Sequence, residues 1–347
     1  MKTTEQPRQT VKPTGCNPWV LNQTKPVART LRVDGRSYRL RVFRRVVESP
    51  SAVRVLIASY LPTAAAGKIL EACIGSVQCN TLEPCEIWVI DNHSPRRNAD
   101  WLLAWPGINV ALSSTDPVPP QSRGLRHWWK GRPDQQTWGS YANAVALELG
   151  AGLIDPATQW VVAMHSDSMV LRGDWLEFLR AKTSDRTRAV ANLAVRGAGH
   201  ISGLFFDFQL FRRLGIGFLP NIAPCRDPAR PEYDVGDLIT LQFQEHGYRV
   251  AICENTFNAP ELVGRIPESD RLRHLYCARS FDDRGRVFYI HLGRGVPKAS
   301  GRYHTPGKTM PEEWLEFARS LGVAAGLGPA STIPGRTQTT PPNAPQT

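Results

Sequence analysis

The 347-residue chain contains no run of eighteen or more apolar residues, so no membrane-spanning helix is expected. Its opening stretch, residues 1–9, is polar and has no apolar core of the kind a secretory leader needs, so none is expected. The seven cysteines are odd in number and scattered, and no C-x-x-C pair occurs. Cys73, Cys79 and Cys85 stand six residues apart, which is not a zinc spacing. They read as reduced thiols in a cytoplasmic protein. Gly215-Ile216-Gly217 lacks both the third glycine and the preceding strand of a dinucleotide fingerprint. No internal repeat is present.

What the chain does have is positive charge, unevenly spread. The formal net charge is +11, and the first fifty residues hold eleven basic side chains against three acidic ones. Such an arm attracts anions: nucleic acid, lipid headgroups or an anionic acceptor. From Arg29 to Val47 the apolar residues alternate through Leu31, Val33, Tyr38, Leu40 and Val42. Asp34-Gly35 divides the run and predicts a β-hairpin appended to the main domain. Arginine fills most of its polar positions.

The main domain opens with a β-rich run, Val53–Ser59. A helix follows, with Ile69, Leu70, Cys73, Ile74 and Val77 on one face, and then the strand Glu86–Ile90, closed by Asp91. This spacing suits a right-handed βαβ crossover, which puts Ser59 and Asp91 at the same edge of a parallel sheet. The stretch from Trp160 to Trp175 repeats the theme. The apolar run Trp160–Met164 stops at His165-Ser166-Asp167-Ser168, before a helix announced by Asp174. Ligands of open α/β sheets bind at that carboxyl edge. A carboxylate there can hold a hard divalent cation, which in turn holds phosphate oxygens.

Further elements are expected as a short helix at Trp101–Trp105, strands at Ile108–Leu112 and Ala189–Val195, and an aromatic run at Phe205–Phe211. A helix is expected to open at Glu232–Asp237 and to end at Gly247. A last helix is expected from a Thr309/Glu312 capping box. Residues 113–137, with Trp128-Trp129 among basic residues, read as a loop over the active edge. Residues 326–347 are rich in Pro, Thr, Gly and Gln and are expected to be disordered.

The order of these motifs resembles the family 2-type glycosyltransferases, which have the GT-A fold. Val53–Tyr60 is similar to their opening strand, and Val89-Ile90-Asp91-Asn92-His93-Ser94 to their V-V-D-N-G-S element. Gly139-Ser140-Tyr141-Ala142-Asn143 is similar to their G-x-x-x-A-x-N helix start. His165-Ser166-Asp167 stands where their D-x-D stands. Tyr233–Asp237 with Gly247-Tyr248-Arg249-Val250 is similar to their E-D helix and the strand after it.

The resemblance implies a Rossmann-like mixed α/β sheet flanked by helices. It implies an inverting, metal-dependent transfer from a nucleotide-sugar to a hydroxyl of a saccharide, lipid-linked or glycoconjugate acceptor. Asp91, near Ser59, would meet the base or ribose, and Asp167 would hold Mg²⁺ or Mn²⁺. Asp234 or Asp237 would be the base, and His291, a metal ligand beside Asp167, would close over the diphosphate with Gly293 and Arg294. Two departures stand out: His165 replaces the first aspartate, where it would ligate the metal or bond the nucleotide, and the acidic pair reads Asp-Val-Gly-Asp.

The expected organisation is a basic extension with hairpin over 1–50, a GT-A-like domain over 51–325 and a tail. The basic extension suits peripheral contact with the inner face of a membrane. Two rival classes fit less well. A nucleotidyltransferase needs a glycine-rich basic loop after the first strand, where this chain has Ser59-Tyr60-Leu61-Pro62-Thr63. A nucleic-acid-binding module needs interleaved aromatic and basic residues, found only near Arg126–Arg132 and in the N-terminal arm, so nucleic acid is not the expected partner.

Overall fold

The structure is a computed structural model that describes residues 19–20, 25–120, 139–222, 225–304 and 307–323. The expected tail, residues 121–137 of the Trp128-Trp129 loop, and residues 1–18 and 21–24 of the N-terminal arm lie outside the described residues.

Strands β1 (Val27–Val33) and β2 (Arg36–Phe43) pair antiparallel, with Val33 opposite Arg36. Asp34 and Gly35 between them have φ of 48° and 72°, the left-handed pair that a two-residue hairpin turn demands. Next come β3 (Val53–Ser59), α1 (Ala64–Cys79) and β4 (Cys85–Asp91), the expected βαβ unit. Thr63 caps α1 by accepting a hydrogen bond from the Ala66 amide at 3.2 Å. All five apolar residues predicted for the inner face of α1 are buried.

After β5 (Asn109–Ser113) and α2 (Gly139–Leu153), strand β6 (Trp160–His165) leads through Ser166-Asp167 into β7 (Ser168–Val170). Then follow α3 (Trp175–Ala181), β8 (Thr187–Ala191), β9 (Gly203–Asp207), α4 (Phe208–Arg213), α5 (Asp237–Glu245) and β10 (Arg249–Ile252). The last elements are β11 (Ala278–Phe281), β12 (Val287–His291), α6 (Gly295–Ala299) and α7 (Pro311–Ser320).

Nine strands form one mixed sheet in the order β10-β8-β9-β6-β3-β4-β5-β2-β1. The central run β6-β3-β4-β5 is parallel. Strand β3 is buried on both faces, which explains its unbroken apolar sequence. Leu56 joins Trp88, Tyr141 and Val145 beneath α2, whereas Val55 and Ile57 join Leu70, Ile74 and Trp175 on the α1 side. A second sheet, β11-β12-β7, is antiparallel and packs through Met169 and Ile290 against α1 and α7. The expected class, a mixed α/β sheet flanked by helices with an N-terminal hairpin, is the one observed.

Several boundaries differ from expectation for identifiable reasons. The hairpin is continuous with the main sheet, because β2 pairs with β5. The aromatic run 205–211 divides at Asp207, whose carboxylate accepts from the Leu210 amide at 2.9 Å and starts α4. Strand β8 ends at Ala191, and Ala194–Val195 pairs instead with Ala198–Gly199. The helix expected from Glu232 begins only at Asp237, because Gly236 is left-handed at φ 77°. At α7 the Met310 amide donates to the Glu313 carboxylate at 3.2 Å, while Thr309 accepts from the Tyr276 amide. The expected Thr309/Glu312 box is therefore displaced by one residue.

Candidate functional site

The parallel strands end together, so Ser59, Asp91 and His165 arrive at one edge of the sheet. Ser59 is registered with Asp91, and Ala58 with His165. A cavity of about 280 Å³ opens there, lined among others by Ser59, Asn92, Asn143, His165, Asp167 and Arg294. The first turn of α2 contributes Gly139, Ala142 and Asn143 to the wall. A helix N-terminus facing a cavity favours an anion.

Asp91 lies behind this wall and is 2% exposed. Its carboxylate accepts from the Ser94 amide at 3.0 Å, the Ser94 hydroxyl at 2.5 Å and the Ser59 hydroxyl at 3.4 Å. Burial pushes its pKa up to about 6 in spite of those bonds. The next residue, Asn92, reaches the cavity itself. Its amide nitrogen donates to the Ala142 carbonyl. Its Oδ1 is buried with no hydrogen-bond partner among the described residues.

The acidic knot after β6 meets the end of β12. His291 is registered with Ser168, which brings its Nε2 to 3.3 Å from Asp167 Oδ1. His165 Nδ1 lies 3.4 Å from the same Nε2. One donor atom from each of His165, Asp167 and His291 falls within 4.8 Å of the others. Around this set, Asn143 Nδ2 stands 2.8 Å from His165 Nε2, and the Gly295 amide donates to Asp167 Oδ2 at 2.8 Å. That close approach requires glycine, since a Cβ on residue 295 would stand 2.9 Å from Asp167 Oδ2.

The electrostatics follow from burial and neighbours. Burial works to raise the Asp167 pKa, but His291, through charge and hydrogen bond, together with His165 and the Gly295 amide, holds it well below the usual carboxylate range. Burial, reinforced by His291, lowers His165 to about 4, leaving a neutral imidazole with a lone pair to offer. His200 completes a group of three imidazoles, with ring centroids 5.3 Å from His165 and 5.9 Å from His291. Burial also holds its pKa well below normal. Its Nδ1 accepts from the Ser202 amide at 3.2 Å, which places the ring proton on Nε2. No periodic pattern in the sequence marks His200, because it sits in the turn before β9.

The remaining expected residues stand around this centre. Gly293 and Arg294 are both left-handed, with φ of 71° and 57°, and turn the chain from β12 into α6. The exposed Arg294 guanidinium lies 4.7 Å from the Tyr303 ring centroid. Asp234 and Asp237 lie outside the cavity wall. Asp237 is buried, accepts from the Asp234 amide at 2.8 Å, and has its pKa raised by burial. Asp234 is half-buried, and its charge is felt at His165. A Cβ on Gly236 would meet Ile201, so glycine is what lets the Asp-Val-Gly-Asp loop pass this close.

No family model matches the chain, and no curated protein matches it. Among solved structures it is similar to the mannosyltransferase PcManGT from Pyrobaculum calidifontis in complex with GDP-Man and Mn²⁺. The identity is 16% over 80% of this chain and 75% of that one, with a TM-score of 0.39. It is similar to the galactosyltransferase LgtC in complex with donor and acceptor sugar analogues, at 14% identity over 81% and 97%, with a TM-score of 0.44. It is also similar to S. aureus TarS, at 12% identity over 58% of this chain and 35% of that longer one, with a TM-score of 0.37. At such distances the chemistry of the site rests on this chain's own residues.

Proposed function

We propose that the chain is a glycosyltransferase that moves a sugar from a nucleotide-sugar to an acceptor hydroxyl, with inversion at the anomeric carbon. The acceptor is a saccharide, a lipid-linked sugar or another glycoconjugate. The observation that carries this reading is the convergence of Asp167, His165 and His291 at the carboxyl edge of the parallel strands, beside a cavity headed by a helix N-terminus.

The donor set fits a divalent cation. Asp167 Oδ1 and His165 Nδ1 lie 3.3 and 3.4 Å from His291 Nε2, and all three donor atoms fall within 4.8 Å of one another, a grouping that would hold one ion. The one carboxylate is ionised and one imidazole is held neutral. Two imidazoles favour Mn²⁺ over the harder Mg²⁺. A cation held there supplies positive charge to the departing nucleoside diphosphate.

The protein's own groups do the rest. The first turn of α2 and Arg294 face the diphosphate. The unpaired Oδ1 of Asn92 accepts a hydrogen bond from the nucleoside, and Asp91 holds the turn that presents it, through Ser94. Asp234 is the better placed base, since it is more accessible than Asp237, which holds the Asp234 amide. Asp234 takes the proton of the acceptor hydroxyl as that oxygen attacks the anomeric carbon. The bond from that carbon to the diphosphate breaks on the opposite face, and its electron pair leaves with the phosphate oxygen.

The test is hydrolysis and transfer across a panel of nucleotide-sugars with Mn²⁺, Mg²⁺ or EDTA, comparing the wild type with Asp167→Ala. One donor should be consumed in a metal-dependent way that the substitution abolishes. Indifference of every donor to the protein would overturn the proposal.

A further inference from the structure

One row of residues crosses the main sheet at the level of the site. Ser59 neighbours Asp91, Asp91 neighbours Leu112, and Leu112 neighbours Arg41. Three strand spacings put Arg41 about 14 Å from Ser59 along that row. The pairing of β2 with β5 ends at Leu40 and Ser113, so residues 36–39 overhang the edge that carries the cavity. Four residues of strand reach about 13 Å. The tip is anchored, because the Tyr141 hydroxyl donates to Asp34 at 2.9 Å from the same first turn of α2 that lines the cavity. The hairpin is thus a fixed rim of the cleft.

Its chemistry is basic. Residues 25–48 hold eight basic side chains against two acidic ones. Tyr38, Leu40 and Val42 turn into the core, so Arg39 and Arg41 occupy the opposite face. Arg32, registered with Ser37, shares it. Arg39 stands about 7 Å from each of Arg32 and Arg41, which lie about 14 Å from each other. Arg29 and Arg36 lie on the other face. Among the described residues none of these five arginines forms an ion pair. The nearby carboxylates are engaged elsewhere: Glu86 with Arg54, Asp116 with His93 and Asp34 with Tyr141. Basic residues do guard exposed sheet edges against pairing with other chains. That accounts for arginines on β1, the edge strand, but not for Arg41 on β2, which is registered with Ala28 on one side and Leu112 on the other.

We propose that this arginine face docks the protein on an anionic lipid surface, with the carboxyl edge of the sheet turned toward the headgroups. The inference rests on the glycosyltransferase reading only for its consequence, that an acceptor carried by that surface is presented to the cleft. Three arginines spread along one face suit a surface of charge rather than a single phosphate. Tyr38 and Phe43 are buried, so the described hairpin has no exposed aromatic ring on which nucleic-acid bases could stack.

The test is sedimentation of the full chain with vesicles of phosphatidylcholine, alone or mixed with phosphatidylglycerol, at low and high salt. Wild type is compared with the Arg32→Gln/Arg39→Gln/Arg41→Gln triple variant. The wild type should bind the anionic vesicles, ignore the neutral ones and dissociate at high salt. The triple variant should bind about a hundredfold more weakly, at about fivefold per arginine. Arg39 is exposed, so Arg39→Glu alone gives the same direction of effect should the triple variant fail to fold. Indifference of the wild type to phosphatidylglycerol, wild-type binding by the variants, or displacement from vesicles by a lower concentration of a DNA oligonucleotide would each overturn the proposal. Vesicle binding is read without any donor, so its failure is distinct from failure of the transferase assay.

Discussion

Asp167 is held by neighbours that arrive from separate elements: His291 from the end of β12, the Gly295 amide from the start of α6, and His165 from the end of β6. Gly295→Ala should push the carboxylate out of place and weaken Mn²⁺ binding about ten- to a hundredfold, the usual cost of disturbing a ligand's support. Titration of Mn²⁺ by calorimetry reads this directly, and an unchanged affinity would contradict it. Asp91 gives a second prediction. Its pKa in the fold, about 6, exceeds its ordinary value of 3.8. Between those values the folded chain keeps a proton that the unfolded chain has lost. Stability therefore falls as pH rises through that window, by about 3 kcal/mol in all, and stays at the lower level above it. Asp91→Asn should remove this slope, as urea unfolding at the two ends of the window would show. A slope that survives the substitution belongs to another group. Asp91, His165 and Asp167 were legible in the sequence because each closes an apolar run, and His291 because it stands before Gly-Arg-Gly. The packing of Asn143 and His200 on the imidazoles was not legible, since it depends on how α2 and the turn before β9 settle over the edge.

Among the elements, β3 and β4 are joined by a buried ion pair that no sequence pattern announced. Arg54 and Glu86 are registered partners, both fully buried, with Arg54 Nη2 3.2 Å from Glu86 Oε1. Glu86 also accepts from the Glu48 amide at 2.7 Å and the Trp88 indole at 2.9 Å, while Arg54 donates to the Ser49 and Ala52 carbonyls. Removing one partner leaves a buried charge uncompensated. Glu86→Ala should cost about 3–5 kcal/mol, and Arg54→Met with Glu86→Leu should cost less than that single change. A urea midpoint for Glu86→Ala equal to wild type would refute this. The strands and α1 were readable because period-2 and period-3.6 patterns survive burial. Two starts were misplaced for local reasons. Gly236 delays α5, and Glu313 rather than Glu312 reaches back to close the first turn of α7.

At the scale of the whole molecule, two sheets meet at the site. The nine-stranded sheet supplies Ser59, Asp91 and His165, and the three-stranded sheet brings His291 against Asp167. The motif order resembled a glycosyltransferase and suggested a late histidine at the diphosphate, but only the register of β12 against β7 gives its partner. Among the described residues no helix is long and apolar enough to cross a membrane. In the function proposed above, Asp167, His165 and His291 hold a divalent ion together with the diphosphate of a nucleotide-sugar. The most direct test of this is Mn²⁺ titration followed by electron paramagnetic resonance, with and without UDP or GDP, for wild type and Asp167→Ala. Wild type should bind Mn²⁺, one nucleoside diphosphate should tighten the binding, and Asp167→Ala should lose both effects. A wild-type protein that leaves Mn²⁺ free with either nucleotide, or an Asp167→Ala variant that titrates like wild type, would contradict it.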